Sequence, residues 1–178
     1  MERIATDTYS FERIREGGFV YVDKTTILRI LAEGSIGTQF FVARPRRFGK
    51  SLAISTLQCL FEGRRELFKG LAIEPTWDWT KTYPVLKLDM ASCQGDTIEA
   101  IEERVAVLLR KESVRLGVPL RSGSVSSQFD MLISDLARKN GGKMVLLVDE
   151  YDKPLLGHLG KDDVNKVRDF LKAFYSVI

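Results

Sequence analysis

Residues 144–154 read MVLLVDEYDKP, and they set the strongest limit on what this chain can fold into. Met144 to Val148 is wholly apolar, and the chain then breaks at once into Asp149 and Glu150. An amphipathic helix would show polar residues every third or fourth position, and a bilayer span needs about 20 apolar residues. A short, aliphatic run of this kind reads as a strand buried on both faces. Strands of that type belong to parallel sheets covered by helices.

The rest of the chain supplies matching pieces. TQFFVA at 38–43 reads as a second buried strand, and YPVLKLDMA at 83–91 as a third. Between the strands lie helical patterns. TTILRILAE at 25–33 places Ile27, Leu28 and Leu31 on one side, and SLAISTLQCLFEG stops at Gly63. Asp96, with Glu99 three residues on, reads as a capping box. The helix it opens carries Ile98, Ile101, Val105, Leu108 and Leu109 and runs to Gly117. A further helix carries Phe129, Leu132, Ile133 and Leu136 and stops at Asn140-Gly141-Gly142. The last starts near Asp162 and shows Val164, Val167, Phe170, Leu171 and Phe174. Strands alternating with helices point to an α/β domain with a parallel sheet. In such sheets ligands bind outside the carboxyl ends of the strands. Both unusual polar clusters fall at such ends: Arg44–Ser51 after the first strand and Asp149–Asp152 after the last.

Composition narrows the function classes. With 178 residues, 44% hydrophobic and 29% charged, the chain is an ordinary globular one of about one domain. No stretch reads as a membrane span or a signal peptide. Arg44, Arg46, Arg47 and Lys50 more than account for the net charge of +3. The basic character is therefore local to one loop and does not form a broad nucleic-acid face. Cys59 and Cys93 lack metal-ligand spacing and read as buried thiols, which fits a cytoplasmic protein. His158, the single histidine, reads as a surface or loop residue, without a second ligand for a metal. Trp77 and Trp79, in an irregular connection over 63–83, read as a satellite core rather than a stacking platform for bases.

ARPRRFGKSL at 43–52 ends like a phosphate-binding loop. Gly49 lets the backbone approach a phosphate oxygen, Lys50 reaches the β- and γ-phosphates of ATP, and Ser51 offers its hydroxyl to Mg²⁺. Arg44 replaces the leading glycine of the pattern, and Pro45 stiffens the loop. The loop as a whole, Arg44, Pro45, Arg46, Arg47, Phe48, Gly49, Lys50, Ser51 and Leu52, is the candidate nucleotide-binding segment. The partner motif is Val145–Val148 followed by Asp149 and Glu150. Asp149 would hold Mg²⁺ with Ser51, and Glu150 would deprotonate the attacking water. Alone, DEYD reads as an acidic turn; paired with the loop, it reads as the second half of a nucleotide site.

At these residues the sequence resembles the AAA-ATPase-like domain family of bacterial proteins, often N-terminal to a PD-(D/E)XK-nuclease-like domain. The matching stretches are FERIREGGFVYVDKT (11–25), ARPRRFGKSL (43–52), LFEGRRELFKGLAIEPTWDW (60–79), YPVLKLDMAS (83–92), LLVDEYDKPL (146–155) and LKAFYSVI (171–178). The family has an RPRRFGKS type of loop, so Arg44 is ordinary within it. The resemblance implies a P-loop NTPase fold of three layers, αβα, with a mainly parallel sheet. It also implies a Walker A loop at Gly49–Ser51, with Lys50 catalytic, and a Walker B motif at Asp149 and Glu150, with Glu150 catalytic. It matches Arg46 and Arg47 to the family's paired arginines, which either hold phosphate or act on a neighbouring subunit's nucleotide. Tyr21, Asp23 and Lys24 match the YVDKT stretch, near the base or sugar or else packed at the domain edge. Asp152 matches the last acid of DEYD, either behind the site or starting the turn before Pro154.

The resemblance departs at the end, since family members continue past FYSVI into a further strand with a polar tip. The expectation is a single domain over 1–178 that is the N-terminal fragment of a longer protein, truncated before its fourth strand. Three functions follow. The first is an ATP-binding domain with Mg²⁺-dependent hydrolysis. The second is a nucleotide-binding switch without significant turnover. The third is a nucleic-acid-binding domain using the basic loop, which leaves DEYD unexplained. Partners expected are ATP, a homo-oligomer, and nucleic acid through a C-terminal nuclease-like domain, with no membrane.

Overall fold

The structure, a computed structural model, describes residues 3–6, 8–34, 39–43 and 48–178. In chain order its regular elements are α1 (Phe11–Glu16), α2 (Thr25–Ala32), α3 (Lys50–Phe61), β1 (Val85–Asp89), α4 (Ile98–Leu116), α5 (Val125–Lys139), β2 (Val145–Asp149), α6 (Lys153–Leu156) and α7 (Val164–Tyr175). Short 3-10 turns occupy Arg65–Phe68 and Met90–Cys93. Together these make an α/β chain with a parallel sheet. They form two compact units, Met1–Tyr83 and Pro84–Ile178.

The first unit is built around α3. Phe11, Leu60, Phe68 and Ile73 are fully buried in one cluster with Cys59, Leu67 and Leu71. Helix α1 opens at Ser10, whose hydroxyl accepts the Arg13 N–H at 3.3 Å. The helix is tied to α3 because the Phe11 N–H donates to Ser55 Oγ at 3.0 Å. The Phe11 ring meets Phe68 at 4.8 Å and Tyr21 edge-on at 5.0 Å. Arg15 donates to the carbonyls of Leu67 and Lys69, which pins the irregular connection to α1. Trp77 and Trp79 pack against this core, as the sequence suggests, and Trp79 Nε1 donates to the Glu74 carbonyl at 2.8 Å.

The strand expected over 38–43 is corrected by the structure. Residues 39–43 form no strand, and Phe41 is 72% exposed; residue 38 lies outside the described residues. A parallel strand exists only through its ladder. Among the described residues of this unit, the one bridge joins Arg3 and Phe19. The apolar composition of FFVA is thus not enough to make it a strand.

The second unit holds the sheet. Strands β1 and β2 run parallel, with Val85 opposite Val145 and Asp89 opposite Asp149. The Val145 N–H donates to the Pro84 carbonyl, so the odd-numbered backbone groups of β1 face away from β2. Those groups are closed by α4: Glu112 Oε2 accepts the Lys87 N–H at 3.2 Å, and the Arg115 guanidinium donates to the Val85 carbonyl. Side chains thereby protect the open edge of β1. On the faces, α4 buries Ile101, Val105 and Leu109, α5 buries Phe129, Leu132 and Leu136, and α7 buries Val167, Leu171 and Phe174. Phe129 and Phe174 stack at 4.4 Å.

Three further expectations change here. Val145–Val148 is half-buried rather than buried on both faces, because β2 has one strand neighbour among the described residues. Helix α4 is capped by Thr97, whose hydroxyl accepts the Ala100 N–H, and not by Asp96. His158 is fully buried rather than on the surface. Its Nδ1 lies 2.8 Å from Asp163 Oδ1 and its Nε2 2.9 Å from the Gly95 carbonyl. Gly95 itself is crowded, since a Cβ there would stand 2.8 Å from Ala100 Cβ. The histidine is a structural clamp between the segment after α6 and the approach to α4. Cys59 and Cys93 are buried thiols, as the sequence suggests.

Candidate functional site

The basic end of the candidate site begins with Gly49. Its φ of 76° and ψ of 24° lie in the left-handed region. A Cβ there would meet nothing within 4 Å, so the backbone conformation, not space, selects glycine. This turn reverses the chain into α3, whose first helical bond joins the Ala53 N–H to the Gly49 carbonyl at 2.9 Å. A glycine cap brings no side chain to the N–H groups of the first turn. Lys50 and Ser51, both half-buried, occupy that first turn, and no acidic residue stands there. Leu52 packs against the core, and Phe48 is exposed. The other end of α3 is fixed by Ser55, Cys59, Leu60 and Phe61, all buried, so the loop end is carried on a rigid helix. Arg44, Pro45, Arg46 and Arg47 lie outside the described residues.

The charge arrangement at this helix end is unusual. A helix N-terminus carries roughly half a positive charge, and a cation in the first turn is unfavourable by about 0.3–1 kcal/mol. Lys50 therefore sits where the fold alone would prefer an aspartate or glutamate. An anion at the helix end offsets both charges.

The acidic end lies at the carboxyl end of β2. Asp149 is buried at 5% exposure, and its Oδ1 accepts the Glu150 N–H at 3.0 Å. Glu150, half-buried, has φ of 51°. Its Oε2 lies 3.9 Å from Lys153 Nζ, and its carbonyl accepts the Lys153 N–H at 2.9 Å. Asp152 then begins α6, its carbonyl accepting from Leu155 and Leu156, and Pro154 sits in the first turn. Asp152 thus starts the turn before Pro154. Among the described residues no group of three or more His, Cys, Asp or Glu side chains could hold a metal ion.

The structure adds one acid that the sequence reading passes over. Asp89 stands opposite Asp149 in the ladder, so both strands end in a carboxylate at the same sheet edge. Its Oδ1 accepts the Ala91 N–H at 3.0 Å. The signal was present as LKLD beside LLVD, but the register that pairs them was not.

Tyr21 and Asp23 bond within the first unit. Thr56 Oγ1 donates to the Leu52 carbonyl, so at 3.3 Å Tyr21 Oη is the donor to Thr56. Asp23 Oδ1 accepts from the Thr25 N–H and hydroxyl, and Oδ2 accepts the Ala72 N–H at 2.7 Å. Burial alone would raise the Asp23 carboxyl, but these hydrogen bonds outweigh it and hold it below its usual range. Lys24 caps α2 without a side-chain bond.

A protein from Azotobacter chroococcum mcd 1, named "Uncharacterized protein in vnfD 5'region", is 39% identical over 171 residues. The match covers 95% of this chain and 33% of that protein, so the chain spans about a third of its relative's length. No solved structure matches. No helix among the described residues is long and apolar enough to cross a membrane. The family described as "Predicted AAA-ATPase" matches residues 5–178, nearly the whole chain, and the protein belongs to that family.

Proposed function

We propose that this chain binds ATP through the loop ending in Gly49-Lys50-Ser51 and hydrolyses it with the help of Asp149 and Glu150. The observation that carries the reading is Lys50 in the first turn of α3, directly behind a left-handed glycine, in a turn that holds no acidic residue of its own. The helix N-terminus and the Lys50 ammonium both favour an anion bound there. Family membership supports the nucleotide as that anion. Arg46 and Arg47 would add positive charge to the phosphates.

In hydrolysis, Lys50 stabilises charge on the transferred phosphoryl oxygens. Glu150 takes a proton from the attacking water as its oxygen bonds to the γ-phosphorus, and the bond to the β-phosphate oxygen breaks to leave ADP. Ser51 and Asp149 would supply oxygen ligands to magnesium, which would neutralise the phosphate oxygens. The left-handed backbone of the half-buried Glu150 suits a residue held for chemistry rather than for packing.

The test is ATP turnover with magnesium in wild type and Glu150→Gln. The expected result is turnover in wild type and a loss of about 100-fold or more in Glu150→Gln with ATP still bound. Equal, slow release of phosphate by both proteins would leave binding without catalysis and contradict the role of Glu150.

A further inference from the structure

Glu150 is the one residue other than glycine with positive φ among the described residues. Such a conformation persists only where its surroundings over-determine it. Two local bonds contribute, from the Glu150 N–H to Asp149 Oδ1 and from the Lys153 N–H to the Glu150 carbonyl. Both are local, so neither ties the turn to α7.

A third bond does. The Tyr175 hydroxyl donates to the Tyr151 carbonyl at 3.1 Å, across 24 residues of chain. Tyr175 closes the last turn of α7, next to Phe174, which is fully buried and stacked on Phe129. The Tyr175 ring meets Phe174 edge-on at 5.2 Å. Its ring is therefore held against the buried Phe174 of the core. Burial pushes the phenol well above its ordinary range, so it stays a donor at any physiological pH, and a carbonyl can only accept.

We infer that Tyr175 is a positioning residue: by donating to the Tyr151 carbonyl it anchors the 149–153 turn to α7 and holds Glu150 in the backbone conformation that presents its carboxylate. This rests on the reading of Glu150 as the base. Without the hydroxyl, the Tyr151–Asp152 peptide loses its tie to α7, Glu150 can relax toward an ordinary φ, and the carboxylate moves with it.

Tyr175→Phe keeps the ring and removes only the donor. Two measurements on the full chain read the result. Amide hydrogen exchange should show Lys153 opening roughly tenfold faster, with the amides of α4 and α5 unchanged. Turnover should show kcat lower by about tenfold and KM for ATP within about twofold. Unchanged exchange at Lys153 overturns the anchor, whatever the turnover. Faster exchange with unchanged kcat overturns the positioning role. A wild type that binds ATP and does not turn it over contradicts the reading of Glu150 as base, and the exchange result still decides whether Tyr175 anchors the turn.

Discussion

A glutamate with φ of 51° carries a cost of about 1–2 kcal/mol that glycine would not and asparagine would feel less. If Glu150 is kept for chemistry, relieving that cost should raise stability while removing activity. We expect Glu150→Asn to gain about 0.5–1 kcal/mol in denaturant unfolding and to lose turnover. A destabilised Glu150→Asn protein would mean that the glutamate is there for packing. Asp23 makes the opposite case, because every bond it forms is structural. Asp23→Ala leaves the amides of Thr25 and Ala72 without their acceptor, an expected cost of about 1–2 kcal/mol, read by thermal melting with ATP affinity unchanged.

At the scale of elements, α4 does two jobs. It buries one face against β1 and, through Glu112 and Arg115, closes the outer edge of that strand. Arg115→Ala should cost about 1–2 kcal/mol and make the protein more prone to self-association on heating, seen by light scattering. Phe174→Ala should cost about 3–5 kcal/mol, because the ring is fully buried against Phe129. Helices α2, α3, α4, α5 and α7 were readable in the sequence because their burial follows the period of 3.6 residues, as in Ile101, Val105 and Leu109, whereas α1 and α6 are too short to show that period. The strands were less so. FFVA and VLLV look alike in composition, and only VLLV has a ladder partner, which composition does not encode. His158 sits in a turn, which the sequence allowed, but its burial was not legible, because its partners, Asp163 and the Gly95 carbonyl, come together only in the fold.

At the scale of the whole molecule, each unit holds a carboxylate whose titration links pH to stability. The His158 ring holds Asp163 below its usual range, and hydrogen bonds do the same for Asp23. A lowered pKa means stability that is present above the unfolded value, about 3.9, and is lost as pH falls through the folded value. Both units should therefore melt earlier as pH drops from 5 toward 3, followed by circular dichroism. His158→Ala should flatten that dependence in the Pro84–Ile178 unit. Of the candidate residues, Gly49, Lys50, Ser51, Asp149 and Glu150 are picked out by sequence motif, and the structure puts the first three at the start of α3 and the last two at the end of β2. Asp89 and Tyr175 are not picked out by motif, because register and a bond across 24 residues carry their roles. The central claim is that the first turn of α3 is an ATP phosphate site centred on Lys50. Titration of ATP with magnesium into wild type and Lys50→Ala, followed by calorimetry, tests it most directly. The account predicts saturable binding to wild type and an affinity lower by about 100-fold or more in Lys50→Ala. Equal affinities in the two proteins would contradict it.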